Sequence, residues 1–332
     1  MVRARTVVPL ALVAIGLMSA FVATQPTDIR TIACPGAAST VIAGINDAGR
    51  AVAVYFDSLP IVLGGFHGFV WDGSGCAQRI PGLPDDTIPT GVNDAGDVVG
   101  IYIVPALGQA RGFLYRRGRV QDLLCPAAEP KPCVAWPWGI NNRGQVVGYF
   151  DRQGPDRPFV WEDGSYVALA ELPWGHITVR AHSINPRGDV AGEFYSGPGS
   201  PPHLTYGYYW PTGGVPSWFG FPVETNTPQV AKTTVPQGIT PRGDVVGYFY
   251  ESLYDDDPSL EGVLIGPSRG FFRDRDGAIV ELKVPGATYT CPMGINAAGE
   301  VSGAYTTDPS TTPLAGISWR GFVAKVEALV VR

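Results

Sequence analysis

The chain has 332 residues, among them 43 Gly and 31 Pro, and only 16% of it is charged. Gly and Pro cost a helix about 1 and about 3 kcal/mol each, so few windows are long enough for one, and the Val, Ile, Tyr, Phe and Trp between them have a strand composition. A net charge of −6 leaves no basic footprint for nucleic acid or anionic lipid.

The first predicted element is a secretory signal peptide over residues 1–24. Arg3 and Arg5 open it, and the run from Thr6 to Val22 carries no charge. That run is short for a membrane span of ~20 residues, and no other follows, so no span is expected once it is removed. Cleavage is expected between Ala20 and Gln25. The remainder, 25–332, keeps 22 basic and 30 acidic residues, a net charge of −8. It reads as a single domain, secreted or periplasmic.

Six copies of one unit follow. GINDAGRAVAVYF starts at Gly44, GVNDAGDVVGIY at Gly91 and GINNRGQVVGYF at Gly139. SINPRGDVAGEF at Ser183, GITPRGDVVGYF at Gly238 and GINAAGEVSGAY at Gly294 complete the set, at intervals of 47, 48, 44, 55 and 56 residues. Each copy continues into a second motif: HGFVW at His67, RGFLY at Arg111, RPFVW at Arg157, YGYYW at Tyr206, RGFFR at Arg269 and RGFVA at Arg320. In several copies a Gly turn and a short apolar strand ending in Pro come next. The unit is therefore strand, tight turn, strand, loop, strand, tight turn, strand, with the period of a propeller blade.

Within the unit, Asn46, Asn93, Asn141, Asn185 and Asn296 enter a Gly turn whose backbone their side chains can bond. Ala53, Gly100, Gly148, Gly192, Gly247 and Gly303 lie mid-strand, where they are expected to let neighbouring blades approach. Two residues on, each copy carries an aromatic that should share that face.

The ends of the chain match. CPGAASTVIAGIN from Cys34 repeats the spacing of VPGATYTCPMGIN from Val284, so Ile29 to Pro35 reads as a fourth strand without its first three. The last unit has three strands and lacks the Gly-turn hairpin. The expected fold is an all-β, six-bladed β-propeller of four-stranded antiparallel blades, closed by antiparallel pairing of the N-terminal strand with the C-terminal blade near Arg320. Such closure protects strand edges.

The repeated G-I-N-D-x-G-x-V-V-G-x-Y and x-G-F elements resemble the bacterial extracellular HAF-repeat family, from about Ile29 onward. His67-Gly68-Phe69 is the nearest match to the triplet that names it. The resemblance implies export and repeat architecture, and no activity.

The five cysteines suit an oxidising compartment. Cys125 and Cys133 flank CPAAEPKPC and are expected to pair, while Cys34, Cys76 and Cys291 have no assigned partner. No zinc spacing, HExxH motif, Gly-x-Ser-x-Gly elbow, sialidase Asp-box or cofactor motif is present, so no cofactor and no metal site are expected. The N-D-x-G turns read as hairpins rather than Ca²⁺ loops. The acidic run Tyr254-Asp255-Asp256-Asp257 reads as a solvated loop, and His67, in a slot otherwise held by Arg or Tyr, as structural.

Loop lengths point to the functional face. The first and third turns are uniform, whereas the second connection and the link between blades vary, and strand alternation puts both variable sets on one face. That face is expected to carry Trp136, Trp138, Trp174 and Arg180, with Tyr254, Tyr289 and Trp319. Exposed rings among polar groups suit a carbohydrate, peptide or protein ligand. The expected function is a monomeric binding module. The alternative is a secreted glycan hydrolase or lyase, using His176 or His182 with a carboxylate such as Asp85, Asp86 or Glu224.

Overall fold

The computed structural model describes residues 29–59, 65–76, 79–104, 106–153, 155–169, 178–195, 205–220, 230–253, 268–309 and 318–331. The signal segment, Trp174, His176, His203, Glu224 and the Tyr254 loop lie outside the described residues.

β1 (Arg30–Ile32) comes first. The first repeat gives β2 (Ser39–Ile45), β3 (Ala51–Phe56) and β4 (Phe66–Trp71). The second gives β5 (Thr87–Val92), β6 (Val98–Val104), β7 (Gln109–Arg116) and β8 (Arg119–Leu123). The third gives β9 (Cys133–Ile140), β10 (Val146–Arg152), β11 (Arg157–Glu162) and β12 (Ser165–Ala168). The fourth gives β13 (Thr178–Ile184), β14 (Val190–Tyr195), β15 (Thr205–Trp210) and β16 (Ser217–Phe219). The fifth gives β17 (Val230–Ile239), β18 (Val245–Leu253), β19 (Arg269–Arg273) and β20 (Ile279–Leu282). The sixth gives β21 (Tyr289–Ile295), β22 (Glu300–Thr306) and β23 (Arg320–Lys325), followed by one helical turn, α1 (Val326–Leu329).

Consecutive strands of each repeat pair antiparallel, and the first strands of successive repeats pack against one another, β21 against β2 included. The fold is an all-β propeller. Its core sits between adjacent sheets: Val99, Leu114 and Leu123 of the second repeat pack with Val146, Phe159 and Trp161 of the third. Among the described residues no helix is long and apolar enough to cross a membrane.

Among the described residues the hydrogen-bonded sheets number five rather than six separate four-stranded ones. The fourth and fifth repeats share an eight-stranded sheet, whose halves meet at a single parallel bridge, Thr205 to Thr233. β17 has ten residues where the first strand of the other repeats has six to eight. In the first repeat the sheet is three-stranded among the described residues, and β4 also makes two isolated bridges, Phe69 to Arg79 and His67 to Asp86.

β1 pairs antiparallel with β23, Thr31 opposite Phe322, in the last sheet of order β1-β23-β22-β21. The segments after β1 and after β20 are bonded alike. Cys34 N–H donates to Thr40 Oγ1 and Val284 N–H to Thr290 Oγ1, each at 3.1 Å. A disulfide from Cys34 to Cys76 ties the end of β1 to the loop after β4, and a second joins Cys125 to Cys133. Cys291 is free, and burial pushes its thiol up to about 12.

The mid-strand glycines do a different job from the one expected. A Cβ at Gly148 would lie 2.0 Å from the Trp136 carbonyl oxygen, and at Gly192 2.0 Å from that of Arg180. Both clashes are with the first strand of the same sheet, not with the next blade. These glycines face an irregularity in that strand, and that irregularity builds the site.

Candidate functional site: the central channel

In all six repeats the pairing of the first two strands skips one residue. The skipped residues are Ala43, Thr90, Trp138, His182, Gln237 and Met293, each just before the G-I-N motif or its variant. A β-bulge adds an unpaired residue and re-aims its side chain. Here the six bulged residues all line one cavity around the axis. A glycine follows the bulge in five repeats because the first strands approach backbone to backbone: a Cβ at Gly139 would lie 2.7 Å from His182 O. The fourth repeat has Ser183 instead. Its Oγ is buried and has no hydrogen-bond partner.

The channel has two unlike sides, separated by a collar of Ile45, Val92, Ile140, Ile184, Ile239 and Ile295 that lines both. On the side of the tight turns the asparagines form a ladder. Asn46 Nδ2 donates to Asn93 O at 3.0 Å, Asn93 to Asn141 O at 3.2 Å and Asn141 to Asn185 O at 2.9 Å. Asn185 donates to Thr240 O at 3.1 Å, and Asn296 to Asn46 O at 3.0 Å. Each Asn Oδ1 accepts the N–H four residues on in its own turn, as from Gln145 to Asn141 at 3.0 Å. Thr240 holds its turn the same way but has no amide to pass on to the sixth repeat. The carboxylates of Asp47 and Asp94 accept backbone N–H bonds from Ala297 and Asp47, so the turns spend their oxygens on each other. Among the described residues no group of His, Cys, Asp or Glu is arranged to hold a metal ion.

The other side lies toward the links between repeats and has no such regularity. Trp138 Nε1–H donates to Gln237 Oε1 at 2.9 Å, a bond between the third and fifth repeats. The Trp138 ring stacks on His182 of the fourth, centroids 5.1 Å apart. His182 Nδ1 lies 2.9 Å from Pro236 O. That carbonyl can only accept, so Nδ1 carries the proton and Nε2 presents its lone pair. Nε2 is 3.9 Å from Glu193 Oε1, behind the channel wall. Ala43, Thr90 and Met293, from the other three repeats, face this cluster across the channel.

Glu193 belongs to a buried polar group. Arg180 Nε donates to Asp156 Oδ2 at 2.7 Å, and its Nη1 lies 3.5 Å from Glu193 Oε1. The guanidinium sits over the Tyr149 and Tyr195 rings, 4.9 and 5.5 Å from their centroids. Burial pushes the Glu193 carboxyl up to about 7 against the pull of Arg180. Burial also lowers the His182 imidazole to about 4, although its bond to Pro236 favours the charged form. At neutral pH the imidazole that borders the channel is therefore uncharged.

Several residues expected on an exposed loop face are elsewhere. Trp138 points into the channel because the bulge turns it inward. Trp136 is half-buried, stacked on Tyr149 at 6.3 Å, and its Nε1 is buried without a partner. Arg180 is paired with Asp156 and turned toward Glu193. Tyr289 is 1% exposed, a core residue at the start of β21, where Ser39 is likewise buried in β2. Trp319 is half-buried between Tyr289 and β2, and its backbone bonds Thr40 N–H and Ser39 Oγ. Asp85 pairs with Arg79 and lines a separate small cavity beside His67. Asp86 is bridged to His67, and neither carboxylate serves His182. The carboxylate that meets His182 is Glu193.

The chain matches no family model and no curated protein. Solved structures similar to it include an α-L-arabinanase of Penicillium chrysogenum complexed with arabinobiose. It is 12% identical, with a TM-score of 0.45, over 90% of this chain and 96% of that one. A mutant Aleuria aurantia lectin in complex with α-methyl-L-fucoside is 10% identical at TM-score 0.45, covering 90% and 98%. The SapL1 lectin in complex with α-methyl fucoside is 12% identical at 0.42, covering 81% and 88%. Likeness at this level leaves the ligand of this chain to be argued from its own residues.

Two features of the site had a signal in the sequence that a search for motif spacing passes over. In the register just after the mid-strand Gly or Ala the six repeats carry Val54, Ile101, Tyr149, Glu193, Tyr248 and Ala304. Glu193 is the one charge in that column. Ser183 is likewise the one hydroxyl in a column of glycines.

Proposed function

We propose that the protein is an exported, six-bladed propeller that binds carbohydrate on the side from which the links between repeats emerge. The observation that carries this reading is the bulge slot. Six repeats build the same kinked strand, and the side chain it turns inward differs in every one. Elements that only build a scaffold repeat their residues; a fixed geometry with changing side chains suits ligand selection. An indole face beside amide, imidazole and hydroxyl groups matches a sugar ring, which has apolar C–H faces and polar edges. Six bulges support a count of six blades, with the eight-stranded sheet taken as two. The pairing of β1 with β23 supports closure through the N-terminal strand. The repeat motifs support membership of the HAF-repeat family.

The hydrolase or lyase reading has one observation behind it, the proximity of His182 and Glu193. Both side chains are buried, at 4% and 5% exposure, and Nδ1 of the imidazole is held by Pro236. That arrangement favours binding over proton transfer to a substrate. A glycan array probed with the exported protein tests the reading. Saturable binding to a restricted set of glycans, released unchanged, is expected; retention on peptides alone, or cleavage of the glycan, would reject it. Mass spectrometry of protein recovered outside the cytoplasm should find an N-terminus between Ala20 and Gln25.

A further inference from the structure

We infer that the Cys34–Cys76 disulfide is a redox latch: formed, it holds β1 on the sixth repeat, and opened by a dithiol reductant at Cys76 it releases β1 from β23. The latch presupposes the exported, closed ring proposed above and adds the bond that controls it.

β1 is weakly held on its own. It has three residues, the first two of them exposed, and meets β23 through three residue pairs. It is the first strand of the chain and β23 the last, so no backbone connection carries one into the other. Thr31 Oγ1 meets Tyr305 OH at 3.0 Å, and the exposed Arg30 side chain lies 3.6 Å from Glu300. Exposed ion pairs contribute little, and short terminal strands fray unless tied down. If β1 left, β23 would present an open edge beside Phe322 and Val323, which are now buried.

The bond sits where a tie is needed. The residue before the Pro that ends each fourth strand is Cys34, Ile80, Cys125, Leu172, Phe221 or Val284. Where described, it packs with the outer part of the following repeat. Ile80 clusters with Val120 of β8, Cys125 with Tyr166 of β12, and Val284 with Leu329 of α1. Cys34 keeps that packing, buried among Ile32, Val323, Phe69 and Trp71. The two disulfides then differ in reach. Cys125 bonds Cys133, eight residues on in its own link. Cys34 bonds Cys76, 42 residues on, and encloses β2, β3 and β4. The first repeat is thereby tied to the end of β1. With Cys34 fixed, β1 stays beside β23; with it free, only the three pairs oppose the entropy of a loose end.

Access decides how the latch opens. Cys34 is buried, whereas Cys76 is partly exposed and follows the exposed Ser74 and Gly75. A thiolate of the reductant attacks Cys76 Sγ, and Cys34 Sγ leaves and takes up a proton. The second thiolate of the reductant then displaces Cys76 Sγ from the mixed disulfide, and that sulfur is protonated in turn. Both electrons come from the reductant, which ends as a disulfide. Cys291 cannot compete, because burial pushes its thiol up to about 12 and keeps it protonated. A disulfide oxidant runs the same exchange in reverse. The latch therefore closes once the chain reaches an oxidising compartment.

Hydrogen-exchange mass spectrometry on the exported protein tests the latch. The oxidised protein is compared with the same protein in dithiothreitol and with Cys34→Val. That variant removes the bond but supplies the side chain that Val284 places in the same slot. Cys125→Ser/Cys133→Ser is the control for the other disulfide. Peptides covering β1 should be protected in the oxidised protein and in the control. In dithiothreitol and in Cys34→Val they should exchange at least about 100-fold faster, while peptides covering β10 keep their rates.

Unchanged exchange of β1 in both opened forms would overturn the latch and leave the closed ring standing. Rapid exchange of β1 in the oxidised protein would overturn closure and latch together. Faster exchange of β10 along with β1 would make the bond a support of the whole fold and overturn its role as a latch. Release of β1 in the control would assign that role to the other disulfide and overturn it as well.

Discussion

The two sides of the collar are built from the same six strands, yet they obey opposite rules. On the turn side five asparagines occupy one slot and make the same two bonds each, one into their own turn and one to the next repeat. On the link side, only a few residues away along the same strands, six different side chains occupy one slot. The bulge explains how both can hold. Its backbone geometry is set locally, by the glycine opposite and the glycine after, so the slot accepts side chains as different as Ala43 and Trp138. Repetition marks what holds the ring together, and variation within a fixed frame marks what was left free to meet a ligand.

That contrast is open to attack, starting with the glycine opposite the bulge. Gly148→Val would drive a side chain against the Trp136 carbonyl, which lies 2.0 Å from the position of a Cβ. It should cost about 3 kcal/mol or more in urea unfolding. A near-neutral result would mean that the bulge is not tied to its glycine. On the turn side, Asn141→Ala removes both the turn bond and the rung to Asn185, and should cost about 2 kcal/mol. Bulge-slot changes such as Thr90→Ser should stay within about 0.5 kcal/mol, as surface substitutions do. Equal costs at the two slots would erase the distinction.

Next in size is a pH effect. Folded Glu193 keeps its proton up to about pH 7, whereas its ordinary value is 4.5. Between those values the native state holds more protons than the unfolded chain, so stability falls as pH rises, and the loss is complete above pH 7. His182 acts in the opposite sense. Its folded value of about 4 lies below the ordinary 6.5, so its contribution is lost as pH falls through that window. Glu193→Gln should therefore raise stability at pH 8 by on the order of 1–2 kcal/mol, with the gain shrinking toward pH 4.5. A gain of the same size at both pH values would assign the effect to packing instead. The smallest change is Thr240→Asn, which supplies the amide the ladder lacks between the fifth and sixth repeats. It should stabilise by about 0.5–1 kcal/mol in the same assay.

Much of the frame was legible in the sequence because it recurs. The period, the Asn and Gly of the turns, and the matched segments at Cys34 and Val284 all follow from aligning the chain with itself. The turn glycines have φ between +73° and +97° from Gly49 to Gly299, as a tight hairpin requires. The site was less legible because a bulge does not announce itself in composition. Counting alternate residues back from Ile140 sends Trp138 to the same face as the collar, but gives no reason for it to leave the strand's pairing and enter the channel. It therefore read as the end of a link. Tyr289 differs for a related reason: by spacing it lies in a link, whereas the strand begins there and buries it. Glu193 is not legible from His spacing, because the pair is joined across strands, His182 on β13 and Glu193 on β14.

The most direct test of the account is a crystal structure of the exported protein bound to the glycan that binds it most tightly. The account predicts a sugar on the side from which the links between repeats emerge, in contact with bulge-slot side chains. A sugar seated on the outer strands, or on the turn side among the asparagines, would contradict it.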